Sequence, residues 1–412
     1  QYAFTSYELS EPRTIAGIEK YLGSGLIRGV GPITAKNIVE NFGKDTLDVL
    51  EYTPEKLAQI RGISEKKAIE IGFSYREHKE VQNTIMFLQS YNISTNMSLK
   101  IYNVYRDRTT EIVKNNPYKL IEDIDGIGFT TADRIAKNIG IPEDSEFRVR
   151  AGLIHVLKLS CEKNGNTYLP KNMLFSESSK ALNLIYEENS ELFNKTFDTL
   201  CLDKTCVTLW LENVEIVMLS KYYYYENSIA QKLTWLKNCS KIEDADIDDD
   251  IENFQLKNKI SLHEEQKNAV KGAIRNGVYV ITGGPGTGKT TIIKCILEIL
   301  ENMQKRVSLV APTGRASKRM SDSTGREAKT IHRLLEVNVI KTSESYFVHN
   351  ETNPLKTDVV IVDEVSMVDC ALMCNLLKAL PRDCKLILVG DKDQLPSVGA
   401  GNVLADILAS GV

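Results

Sequence analysis

One nine-residue stretch constrains this chain more than any other. Gly283-Gly284-Pro285-Gly286-Thr287-Gly288-Lys289-Thr290-Thr291 follows the β-branched run VYVIT (278–282) and precedes the amphipathic segment IIKCILEIL. The pattern G-x-x-x-x-G-K-[ST] between a strand and a helix predicts a loop that cradles phosphates. Gly283, Gly286 and Gly288 let the backbone wrap them, with Gly284, Pro285, Thr287 and Thr291 completing the nucleotide contact. Lys289 reaches the β and γ oxygens, and the Thr290 hydroxyl is the expected Mg²⁺ ligand.

The flanking sequence predicts a parallel α/β sheet around that loop. VSLVA (307–311), DVVIVD (358–363) and KLILVG (385–390) are short β-branched runs, each followed by a loop and a helical pattern. The second of these ends at Asp363 and Glu364, a strand end expected beside the phosphate loop. Asp363 is the candidate Mg²⁺ holder, and Glu364 the base that orients and deprotonates an attacking water. The third run leads to Gly390, Asp391 and Gln394, and the Gln394 amide can touch a γ-phosphate and report its loss. Gln266, seventeen positions before Gly283, offers the donor and acceptor that an adenine edge requires. Taken alone it reads equally well as part of a solvated helix face.

The first half carries an internal repeat. LIRGVGPITAKNIVENFG (26–43) and IDGIGFTTADRIAKNIG (124–140) share the frame apolar-x-Gly-apolar-Gly-x-x-x-Ala ahead of a short helix, and LAQIRGISEKKAIEIG (57–72) has Ser64 in place of the second glycine. Two glycines permit a tight turn whose free N–H groups, with the next helix N-terminus, face a phosphate. The repeats resemble helix-hairpin-helix motifs, which grip DNA backbone without reading sequence. Gly29, Gly31, Gly126 and Gly128 are the candidate contacts, with Arg28, Lys36, Lys66, Lys67 and Lys137 adding charge. The middle copy reads as packing rather than grip.

Between the halves, FRVRAGLIHVLKLSCEKNG predicts a helix ending at Gly165, and CVTLWLENVEIVMLSK a hairpin turning at Glu212 and Asn213. Together they suggest a helix-plus-wing module. The rings of Tyr222–Tyr225 are expected to divide between core and surface. The acidic run Glu243 to Glu252 (EDADIDDDIE) reads as a linker or exposed loop. A length of 412 residues excludes a single small module, and a net charge of −4 means that a nucleic-acid partner is held by local donors rather than a global basic field. The eight scattered cysteines form no C-x-x-C pair, so reduced, mostly buried thiols are expected. The absence of a long apolar run or a signal core leads to the expectation of a cytoplasmic protein without a membrane partner.

The combination of motifs is similar to the RecD-like superfamily 1 DNA helicases. It comprises the Gln266 segment, GGPGTGKTT, APTGRASKRM (311–320), TIHRLL (330–335), VIVDEVSMVD (360–369) and LVGDKDQLPSVGAG, with helix-hairpin-helix repeats ahead of the motor. The resemblance implies ATP and Mg²⁺ as cofactors and ATP-driven 5′ to 3′ translocation on single-stranded DNA. It further implies unwinding at single/double-strand junctions without sequence preference, in repair or replication, by a protein expected to be a monomer. It assigns Lys289, Glu364 and Gln394 to catalysis. It also assigns Pro312, Thr313, Gly314 and Arg315 to the DNA strand, with Lys318 and Arg319 adding nonspecific attraction. Arg315 reads as either a DNA contact or a structural salt-bridge residue. His332 matches a position that couples the DNA and ATP sites; read in isolation it is a core histidine.

The expected architecture is multidomain. An all-α helix-hairpin-helix region (1–142) precedes a small α+β winged-helix-like segment (143–240), an acidic linker (241–258) and an α/β P-loop NTPase (RecA-like) lobe with a parallel sheet (259–412). Within that lobe a hairpin near 336–354 is, by analogy, the duplex-splitting element. Nothing after the Gln394 motif corresponds to a second RecA-like lobe or its arginine finger, so weak hydrolysis and no unwinding are expected of these 412 residues alone. The Gln1 start and the LADILASGV end suggest a fragment. The competing reading is a nucleotide-gated DNA-binding protein without motor activity, which has little need of a base at Glu364. A relaxase-associated helicase would need a histidine cluster that this histidine-poor chain lacks.

Overall fold

The computed structural model describes residues 14–239, 247–339, 345–394 and 396–411. The chain divides into two compact units, Gln1–Ala151 and Gly152–Val412. The division falls inside the helix Glu146–Asn164, not in the loop ahead of it where the sequence places a boundary at 142.

The first unit is helical among its described residues. Gly29 (φ +83°) and Gly126 (φ +90°) each turn the chain into a left-handed conformation, which glycine adopts without steric cost. Gly31 and Gly128 then cap the helices Pro32–Phe42 and Phe129–Ile139. Ile27, Val30, Ala35, Ile38 and Val39 bury one face of the first repeat. In the middle copy, Gly62 (φ +94°) turns the chain and Ser64 caps the helix Glu65–Ser90, its Oγ accepting from Lys67 N–H at 3.3 Å. A buried cluster closes the unit: Arg148 Nε donates to Asp133 Oδ1 at 2.7 Å, and the Tyr118 hydroxyl donates to the same oxygen at 2.8 Å.

In the second unit, the rest of Glu146–Asn164 leads to β1 (Tyr168–Pro170), the helices Lys171–Leu182 and Tyr186–Leu202, and the hairpin β2 (Cys206–Leu211) and β3 (Val214–Leu219). β3 lies between β1 and β2, antiparallel to both. This helix–strand–helix–helix–strand–strand order is that of a winged helix. Glu212 (φ +46°) and Asn213 (φ +67°) supply the two positive φ values of a tight hairpin turn. The following helix, Ser220–Cys239, buries Ile229, Leu233 and Leu236 in the core of the sheet region, so this segment is built into the lobe rather than standing apart. On that helix Tyr223 and Tyr224 are exposed, while Tyr222 and Tyr225 are half-buried.

The lobe is a three-layer α/β sandwich. β4 (Val278–Thr282), β5 (Val307–Ala311), β6 (Ala328–Thr330), β9 (Val359–Val362) and β10 (Lys385–Gly390) form one sheet in the order β4-β10-β9-β5-β6, every pair parallel. Side chains alternate between its faces. Val360, Val362, Leu386 and Leu388 face the helices Ser220–Cys239 and Cys370–Ala379, and Ile361, Ile387 and Val389 face Lys289–Asn302 on the other side. The expected linker needs correction: residues Asp248–Asn258 form a helix whose Ile251 and Phe254 are buried in that second core. Burying such side chains contributes about 1.5–3 kcal/mol each, enough to order an acid-rich segment; residues 241–246 of the expected linker lie outside the described residues. β7 (Val337–Val339) and β8 (Ser345–Phe347) form a small antiparallel hairpin.

Candidate nucleotide and nucleic-acid site

The loop between β4 and the helix Lys289–Asn302 has the backbone that a phosphate cradle needs. Gly286 (φ +80°) and Gly288 (φ +85°) are left-handed, and Gly288 caps the helix. Lys289 Nζ donates to the carbonyls of Gly283 and Gly284, the latter at 2.9 Å, which draws the ammonium over the loop. The Thr287 hydroxyl donates to Gly284 at 3.0 Å and ties the loop across itself. Pro285 and Thr290 are exposed, and Thr291 is half-buried in the first turn of the helix.

Gln266 is placed against the back of this loop. Its Oε1 accepts from His263 N–H at 3.0 Å and its Nε2 donates to the Thr287 carbonyl at 3.0 Å. Both functions of the amide are thus engaged by the protein, and the half-buried residue braces the loop.

Asp363 and Glu364 stand at the C-terminal end of β9, on the edge of the sheet to which β4 delivers the phosphate loop. β10 lies between β9 and β4 in the sheet. Two strand spacings, about 10 Å, therefore separate the two strands. Burial pushes the Asp363 carboxyl above the usual carboxylate range, against the pull of the Glu364 N–H and of the Arg319 and Lys289 cations. Asp363 Oδ1 accepts from Glu364 N–H at 2.9 Å. The Asp363 carboxylate and the exposed Thr290 hydroxyl at the start of Lys289–Asn302 are hard oxygen donors of the kind that fits Mg²⁺.

Glu364 takes a left-handed backbone (φ +55°), and its carboxylate accepts from Arg319 Nη2. A cavity of about 450 Å³ in the first unit borders Gly29, with Arg28, Lys67 and Arg76 set among Glu70 and Glu77. A larger one, about 920 Å³, lies in the second unit and is lined by Thr313, Arg315, Lys318, Arg319, Glu364 and Gln394. Thr313 caps the helix Gly314–Thr324, its Oγ1 accepting from Ala316 N–H at 3.2 Å, which leaves the hydroxyl proton free to donate. Pro312 is half-buried and Gly314 exposed beside it. Among the described residues Arg315 forms no ion pair; the salt bridge at this helix belongs to Arg319 instead. Arg315 and Arg319, four apart on one helix, lie on one face of it.

His332 is exposed, its ring 5.8 Å from that of Phe347 on β8. The isolated reading of it as a core histidine is therefore corrected, and its side chain instead joins the motif helix Ile331–Leu335 to the small hairpin. In the first unit no side chain caps the helices begun by Gly31 and Gly128, and a Cβ at Gly31, Gly126 or Gly128 would meet open space. Their first-turn N–H groups are therefore accessible to an anion. Ser64 spends one such N–H on its own hydroxyl.

Three family models match the chain: a SAM-like helix-hairpin-helix tandem over residues 24–73, the ATP-dependent RecD2 DNA helicase HHH domain over 77–168 and an AAA domain over 266–400. The ATP-dependent RecD2 DNA helicase of Deinococcus radiodurans is 30% identical over 411 residues, covering 96% of this chain and 54% of that protein. The chain is RecD2-like. The RecBCD enzyme subunit RecD of Mycolicibacterium smegmatis is 41% identical over 168 residues, 35% of this chain and 30% of that protein. Bacteroides sp Pif1, solved in complex with ADP-AlF4, aligns over 37% of this chain and 36% of that chain at 25% identity, with a TM-score of 0.24, too low to carry a structural argument. This RecD2-like chain spans about half the length of its Deinococcus relative, and it is homologous to ATP-dependent DNA helicases, which are ATP hydrolases. Among the described residues, no helix is long and apolar enough to cross a membrane.

Proposed function

We propose that this chain is the DNA-gripping and ATP-binding portion of a helicase that moves 5′ to 3′ on single-stranded DNA and opens duplex at single/double-strand junctions. The observation that carries the reading is the shared cavity, which puts the strand-contacting wall (Thr313, Arg315, Lys318) and the hydrolytic wall (Glu364, Gln394) around one space.

In this reading Gly283, Gly284, Pro285, Gly286, Thr287, Gly288 and Thr291 enclose the phosphates, Gln266 holds the loop in shape, and Lys289 faces the β and γ oxygens. Thr290 and Asp363 hold Mg²⁺, which supplies positive charge to the phosphate oxygens when bound. Glu364 takes a proton from the attacking water as the water oxygen bonds to the γ-phosphorus, and the electron pair of the broken bond leaves on the β-phosphate oxygen. Gln394 registers the γ-phosphate. Gly29, Gly31, Gly126 and Gly128 grip DNA phosphates in one unit, and Pro312, Thr313, Gly314 and Arg315 contact the strand in the other, with His332 between strand and nucleotide. The protein acts as a monomer in the cytoplasm.

The test is ATPase activity of the full-length protein with and without single-stranded DNA. Glu364→Gln is expected to lower stimulated turnover by about 10² or more, the share a positioned base contributes, while ATP binding persists. ATP binding without DNA-stimulated turnover in the unaltered protein would instead establish a nucleotide-gated DNA binder. Faster unwinding of a 5′-tailed than of a 3′-tailed duplex checks the polarity.

A further inference from the structure

Arg319 lies one helical turn beyond Arg315 on Gly314–Thr324, on the wall of the larger cavity, and its guanidinium holds the Glu364 carboxylate. The two partners are unequal. The Arg319 side chain is 67% exposed and that of Glu364 14%, so the arginine, which stands mostly in water, is the partner able to leave. The guanidinium occupies one carboxylate oxygen, Oε1, and the space on that side from which a water would approach it. Thr313, Arg315 and Lys318 crowd the same wall, and none of the three forms an ion pair among the described residues.

We propose that Arg319 is a latch on Glu364 operated by nucleic acid: a phosphodiester seated on the Thr313–Arg315–Lys318 wall draws the Arg319 guanidinium away and leaves the carboxylate free to act as base. This rests on reading Glu364 as the base and the wall as a strand contact. An ion pair with one partner standing in water is held less tightly than a fully buried one, and the planar guanidinium fork matches a phosphate with two parallel hydrogen bonds. The exchange is therefore favourable when a phosphate is delivered and reverses when it departs. Arg319 touches neither ATP nor the attacking water in this scheme; it is a positioning residue. Its effect is to keep ATP turnover low until a strand occupies the wall.

The experiment measures steady-state ATPase of the full-length protein with and without poly(dT), comparing wild type, Arg319→Ala, Arg319→Lys and Glu364→Gln. Arg319→Ala is expected to raise DNA-independent kcat about tenfold, a part of the 10²–10⁴ that a positioned base contributes, with KM for ATP unchanged. The poly(dT)-saturated rate stays near wild type, so the stimulation ratio collapses. Arg319→Lys, which keeps one charged contact, falls between the two. A basal rate that is unchanged or lower in Arg319→Ala overturns the latch, and so does a fall in the poly(dT)-saturated rate with the basal rate unmoved, which would make Arg319 a plain DNA ligand. Persistent DNA-stimulated turnover in Glu364→Gln removes the base assignment itself, so the two failures are told apart.

Discussion

At the scale of single residues, Gly288 shows how tightly the phosphate loop is specified. Its φ of +85° is left-handed, and a Cβ there would lie 2.5 Å from Gln266 Nε2. Gly288→Ala therefore carries a backbone penalty of about 1–2 kcal/mol and displaces the amide that braces Thr287. The expected result is at least a tenfold weaker ATP affinity by equilibrium binding, with helical content by circular dichroism unchanged. The glycines and Lys289 were legible in the sequence because the motif's spacing is itself the chemistry. The Thr287 partner of Gln266 and the Glu364 partner of Arg319 were not, since they lie 21 and 45 positions away and no local pattern announces a contact over such separations.

At the scale of elements, the β runs 278–282, 307–311 and 385–390 became β4, β5 and β10 without a shift of boundary, because a strand buried on both faces has an uninterrupted apolar signature. The helix Asp248–Asn258 was masked by its acids: Ile247, Ile251 and Phe254 follow helical spacing, but they sit within a run that reads as solvated. The strand order was likewise hidden, since sequence shows which runs are strands and not which ones are neighbours. The elements around Asp133 allow a stability test. Arg148, 3% exposed on its side chain, joins Asp133 on Phe129–Ile139 and also donates to the Glu143 carbonyl at 2.9 Å. Removing one partner of a buried pair costs about 3–5 kcal/mol. Arg148→Met is expected to lower the urea midpoint of the first unit accordingly, with the double variant Arg148→Met/Asp133→Asn recovering part of the loss.

At the scale of the molecule, pH acts through groups in the second unit that pull in opposite directions. Burial pushes the Cys295, Cys370 and Cys384 thiols up to about 12, and burial pushes the Lys385 ammonium down to about 8. A thiol raised in the fold contributes stability below its unfolded value of about 8.5 and loses it as pH climbs toward the folded value. Lys385 has the reverse sign: its cost is present at neutral pH and fades between pH 8 and about 10.4. Three thiols outweigh one ammonium, so the unit is expected to lose stability steadily from pH 8.5 upward in urea titrations. Cys384→Ala should flatten that slope, and a rise in stability over the same interval would mean that Lys385 dominates. The composition of the chain, with its scattered cysteines, predicted buried thiols and left their energetic weight unread.

The strand β10 has a mechanical consequence. All six of its positions are buried, and it is clamped by parallel ladders to β4 on one side and β9 on the other. A strand held on both flanks is among the last parts of a protein to open, and it has little compliance. The loop that carries Gln394 is cantilevered from its tip, between the strand that delivers the phosphate loop and the strand that ends in Asp363. A displacement of that loop cannot be absorbed by slack in its mount, so its travel is passed outward to whatever rests against it.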